Sequence, residues 1–117
     1  MRTVAVVALA LAIAGCAAIP STLEGYEAKP LPASELQAAR DKVHGFAVTH
    51  CGQCHIASLP TARPAALRIY NLDAAEWSST LTAGQLRNGF PRRLNAQLDE
   101  DGKRVLRTFI EGELALR

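Results

Sequence analysis

Apolar residues are distributed along the chain in three distinct ways. After Arg2, the eleven residues Val4 to Ala14 are uncharged and almost wholly aliphatic. A run this short does not cross a bilayer, and behind a positive start it predicts an export leader. Pro20, Gly25, Pro30 and Pro32 then interrupt any periodicity, so residues 16–33 are expected to form an extended tether. From Ser34 the pattern turns helical. Ser34 and Gln37 have the spacing of a capping box, and Leu36, Ala39, Val43 and Phe46/Ala47 recur at helical intervals up to Cys51. Pro60 and Pro64 make residues 56–72 a loop, with a short turn of helix over Ala65 to Tyr70. Thr82 and Gln85 form a second capping signal, opening a short helix that Gly89 and Pro91 are expected to end. In the last segment Asp99, Glu100 and Asp101 place negative charge at a helix start, followed by one apolar stripe of Val105, Leu106, Phe109, Ile110 and Leu114. No segment alternates apolar and polar residues for long enough to predict a strand. The expected fold is all-α, a small domain of about three to four helices over residues 34–117.

Composition narrows what such a domain does. A chain of 117 residues holds one small domain, and part of its 49% hydrophobic content belongs to the leader. The formal charge of +2 comes from basic and acidic residues interspersed along the chain, which gives nucleic-acid binding no support. Six aromatic residues are few for a core. A large apolar cofactor would help to fill it.

Three cysteines in an exported chain leave at least one with a task other than intramolecular pairing. Cys16 stands at the end of the leader in Ile13-Ala14-Gly15-Cys16, which resembles the lipobox of bacterial lipoproteins. That resemblance implies removal of residues 1–15, lipidation of Cys16, and a domain anchored to a membrane on the periplasmic side; Ala17 is compatible with the outer membrane. Ordinary secretion, with cleavage near Ala14 or Ala18, is the alternative.

The other two cysteines lie in Cys51-Gly52-Gln53-Cys54-His55. This is the C-x-x-C-H pattern of c-type haem attachment, in which two thiols add to the vinyl groups of one haem and the adjacent histidine lies beneath the iron. A redox dithiol and half of a zinc site share the C-x-x-C element. The dithiol normally follows a strand, however, and zinc needs two further donors, for which only His44 and His50 are near. With a helix before the motif and another at the chain's end, residues 34–117 resemble a short monohaem class I cytochrome c. The resemblance implies one covalent haem c on Cys51 and Cys54, iron on His55, and a redox partner protein. It also implies a proline carbonyl accepting the other ring N–H of His55, with Pro64 the first candidate and Pro60 the second. Tyr70, Trp77, Arg63 and Arg68 are candidates for the haem propionates, beside the plainer reading of core and solvated surface.

One family feature is missing. Class I cytochromes usually supply methionine as second axial ligand shortly before the last helix, whereas the only methionine here is Met1 and the segment Phe90 to Asn95 has none. The sixth position is left to a histidine (His44 or His50), to a weaker donor such as Asn95 or Lys103, or open. Two classes of function follow: one-electron transfer, or binding of a diatomic gas or peroxide at an open iron. A haem-bearing subunit of a larger complex is a third.

Overall fold

The computed structural model describes residues 25–117. The leader and the lipobox cysteine Cys16 lie outside the described residues. Within them the chain is all-helical: α1 (Ala33–His55), α2 (Pro64–Leu67), α3 (Phe90–Asn95) and α4 (Glu100–Leu114). A wide π-type turn, Gln85–Gly89, runs directly into α3. No described helix is long and apolar enough to cross a membrane.

The long helix α1 starts one residue before its predicted cap. The carbonyl of Pro32 accepts the amides of Glu35 and Leu36, and no side chain caps the end. Ser34 is therefore already inside the first turn, and Gln37 donates to Asp41 across one helical turn instead of reaching back. The fixed φ of proline at the entry sets the helix direction that a capping side chain would otherwise help to set.

The second capping box forms as predicted. Thr82 N–H donates to Gln85 Oε1 at 2.9 Å, and Gln85 N–H to Thr82 Oγ1 at 3.1 Å. The predicted stop at Gly89 and Pro91 does not occur, because the chain remains helical to Asn95. Proline in an ordinary α-turn meets the carbonyl four residues back and leaves it without a donor. Here the backbone widens first, with the Phe90 amide bonded to Gln85 O five residues back, so that Pro91 enters at the start of α3.

The helix α4 packs across α1 to make the centre of the core. Asp99 caps it, its side chain accepting Gly102 N–H at 2.7 Å, and Leu106, Phe109, Ile110 and Leu114 are buried along one face. Val43 and Ala47 of α1 meet them, with Leu86 and Leu94 from the segment before α4. Trp77 stacks on Phe109 at 5.4 Å, and Phe90 lies 6.0 Å from Trp77 and 5.9 Å from Phe109.

Part of the expected tether, residues 16–33, is docked on the helices at separate points from Gly25 to Leu31. Tyr26 is 4% exposed and belongs to the core. Arg107 places its guanidinium 4.7 Å over the Tyr26 ring and donates to Gly25 O, Arg87 donates to Tyr26 O, and Lys29 N–H reaches Glu111 O. At Gly112 a Cβ would stand 2.8 Å from side chains of both Leu31 and Leu36, so α4 accepts this strap only at a residue without a side chain.

Candidate functional site

The last turn of an α-helix leaves four carbonyls without intrahelical donors. In α1 these belong to Gly52, Gln53, Cys54 and His55, and the loop after the helix supplies them all. Ile56 N–H reaches Gly52 O, the Thr61 hydroxyl reaches Gln53 O at 2.6 Å, Arg63 N–H reaches Cys54 O, and Leu72 N–H reaches His55 O at 2.8 Å. The chain segment carrying Cys51, Cys54 and His55 is thus wrapped by its own loop. Three further bonds fasten that loop: Ser58 N–H to Asp73, His44 Nε2 to Leu72 O, and His55 Nδ1 to Tyr70 O.

Cys51 and Cys54 are free thiols, half-buried and three residues apart on one side of the helix end. His55 is 7% exposed, with Nδ1 3.0 Å from the Tyr70 carbonyl. A carbonyl only accepts, so the contact requires the proton on Nδ1 and leaves Nε2 with its lone pair. Among the described residues none hydrogen-bonds Nε2, and no buried side-chain nitrogen lacks a partner, so Nε2 retains access to solvent. The Tyr70 ring lies against the imidazole, centroids 3.7 Å apart and planes within 4°. Burial first, and the neighbouring Cys51 second, push its hydroxyl well above the ordinary phenol value and keep it protonated.

The proline expected to hold His55 does not do so. Pro64 opens α2 and its carbonyl accepts Arg68 N–H, while the acceptor at His55 is Tyr70. A proline inside the first turn of a helix has its carbonyl committed along that helix. Tyr70 lies just beyond α2, where its own carbonyl is free to turn toward α1.

Two adjoining cavities meet at this point. The larger, about 670 Å³, is lined by Cys51, Cys54, His55, Tyr70 and Arg93, and the smaller, about 130 Å³, adds Leu81, Gln85 and Phe90. Val48 (39% exposed) and Leu59 (40%) border the first and Ile69 (39%) the second. Among the described residues, three of the four exposed large aliphatic side chains therefore surround the thiols and imidazole. Compared with family models, with curated proteins and with solved structures, the chain matches none of them.

The remaining candidates are spread through the fold. His44 is bonded to Leu72 O at 2.8 Å and its ring is 5.8 Å from Trp77, which commits it to the loop. His50 is exposed at the rim of the larger cavity. Asn95 points to the Tyr26 hydroxyl and Lys103 pairs with Glu100, so neither lines the cavities. Trp77 is core, and the side chains of Arg63 and Arg68 are at the surface. Arg93, which borders both cavities, was not singled out by sequence; its signal is its place one turn after Phe90 on α3.

The competing chemistries fit the arrangement poorly. Among the described residues no three His, Cys, Asp or Glu side chains converge as a metal cage requires. Reactive dithiols commonly sit at a helix N-terminus, whereas this pair is at the opposite end of α1.

Proposed function

We propose that this protein carries one haem c, bound covalently through Cys51 and Cys54 with His55 as axial ligand, and serves as a one-electron carrier. Lipidated Cys16 holds it to a membrane on the periplasmic side. The observation that carries the reading is the pairing of the two thiols with an imidazole whose Nδ1 proton is committed to Tyr70 O, so that Nε2 is the nitrogen offered to iron. The residues fit the group in three further respects. The thiols share one side of a helix end, the cavity walls carry exposed aliphatic side chains suited to a macrocycle, and Arg93 at the rim suits a carboxylate.

When bound, haem supplies the reversible one-electron chemistry; the chain orients it, holds its ligand and limits water. Cys51 and Cys54 retain it, which matters for a protein outside the cytoplasm. Val48, Leu59 and Ile69 lower the local polarity, and the Tyr70 carbonyl raises the basicity of His55. The partner is a redox protein that docks near the exposed edge of this groove.

The decisive experiment is mass spectrometry of the denatured protein produced in a host able to attach haem c. The wild type should carry the mass of one haem, Cys51→Ala or Cys54→Ala should lose one of the two thioether links, and the double variant should lose haem entirely. A wild type of bare polypeptide mass sinks the proposal.

A second reading, binding of a small gas or peroxide, is favoured by the smaller cavity. Its volume of about 130 Å³ is lined by Leu81, Phe90, Gln85 and Arg93, and it holds a diatomic molecule easily, given a share of roughly 30 Å³ for one water in the liquid. Carbon monoxide separates the two: rapid binding to the reduced protein selects this reading, and indifference selects electron transfer.

A further inference from the structure

A hydrogen bond to Nδ1 fixes one point of the imidazole and leaves its plane free to swing about the N–H···O direction. In this protein a second constraint is present. The Tyr70 ring lies flat on the His55 ring, 3.7 Å away and within 4° of parallel, so rotation of the imidazole would drive it into the phenol. The phenol cannot yield readily, because Phe90 meets it edge-on at 5.6 Å and 84° and Trp77 packs beside it at 6.1 Å and 66°. The core and the imidazole therefore both bear on one side chain.

We propose that Tyr70 is the positioning residue for the axial ligand, its carbonyl fixing the protonation of His55 and its ring fixing the plane of the imidazole. The inference deepens the haem reading and rests on it. A carbonyl alone, as expected from Pro64, would supply the first constraint and not the second. The plane matters because it selects which iron orbitals the imidazole π-system meets, and the strength of the Nδ1–H···O bond sets how much electron density His55 donates. Freed of the ring, the imidazole swings, the bond to Tyr70 O weakens on average, and the ligand becomes less basic. A less basic ligand stabilises the ferric state less.

The test uses the full-length, haem-loaded protein and three measurements. In the reduced wild type under carbon monoxide, which is diamagnetic whether or not the gas binds, nuclear Overhauser contacts are expected between the ring protons of Tyr70 and His55. Tyr70→Phe keeps ring and carbonyl, so its midpoint potential and low-temperature electron paramagnetic resonance spectrum should stay with the wild type. Tyr70→Leu keeps only the carbonyl and should raise the potential and broaden the spectrum. Wild-type potential and spectrum in the leucine variant would overturn the proposal. If that variant does not accumulate folded, the wild-type Overhauser contacts decide alone, and their absence overturns it. A wild type without covalent haem overturns the haem reading and this inference together; intact haem without ring contacts overturns this inference only.

Discussion

Tyr26 tests whether the segment before α1 is part of the fold or a tether. It is 4% exposed, sits among core residues, and carries a guanidinium 4.7 Å over its ring. Truncating a buried aromatic to alanine costs about 3–5 kcal/mol, and loss of the cation–π contact adds about 0.5–1 kcal/mol. The strap has a less costly response than an internal helix, because it can peel away and hydrate. The cost is then capped at the strap's own docking energy, so the lower end, about 3 kcal/mol, is expected. For a domain of this size each kcal/mol lowers Tm by about 4–8 °C, which gives a fall of roughly 12–24 °C in Tyr26→Ala by circular dichroism or calorimetry. Tyr26→Phe should melt close to the wild type, since the hydroxyl's contact with Asn95 is long at 3.4 Å. An alanine variant within about 2 °C of the wild type would refute the packed strap. The outcome bears on reach, because only the eight residues 17–24 then separate Cys16 from the docked chain. Fully extended, they span at most about 29 Å. Under the proposed anchor at Cys16, a redox partner would therefore have to come to the membrane to meet this domain.

Three shorter predictions follow from other contacts. Glu113, 0% exposed, accepts from Arg40, Arg117 and Ser78, so Glu113→Ala removes the carboxylate that two partly buried guanidiniums share and should cost about 3 kcal/mol, seen as a fall in denaturant midpoint; an unchanged midpoint would place the carboxylate in solvent. Cys16→Ala should shift the protein from the membrane fraction to the soluble periplasmic extract, and membrane retention with lipid label would refute the anchor. His44→Ala should lose about 1 kcal/mol with its bond to Leu72 O, while the optical spectrum of the haem stays that of the wild type. A spectral change with His44→Ala would return that histidine to the iron.

How much of this was legible in the sequence depends on whether the determining contact is local. The Thr82–Gln85 cap and the apolar stripe of α4 were legible because each is set within a few residues. So was the all-helical class, which needs only periodicity. The Ser34 cap failed because a neighbouring proline supplied the entry geometry, and the Gly89–Pro91 stop failed because a π-type turn removes the clash that makes proline a terminator. Glu113 was illegible in principle: a glutamate on a helix reads as solvated surface until Arg40, 73 residues away in sequence, is brought against it. At the site, the motif located the thiols and His55, but the acceptor for Nδ1 was assigned to a proline. Nothing local to Tyr70 announces that its carbonyl turns back on α1, because the turn is made by the stitching of residues 56–73 to the helix end.

The six aromatics all gather at one core. Tyr26, Tyr70, Trp77, Phe90 and Phe109 are all in the buried cluster, and Phe46 packs against it. Tyr70 joins this cluster to the imidazole, so the contacts that stabilise the domain are the same contacts that orient the candidate ligand. A domain with a separate core and site could loosen one without the other. Here a change at Phe90 or Trp77 propagates through one ring to His55, while His44 and Leu72 hold the loop from the other side. The candidate ligand is thus held by the contacts of the core, which would suit the proposed carrier: small reorganisation on electron transfer requires that the ligand geometry stay the same in both oxidation states.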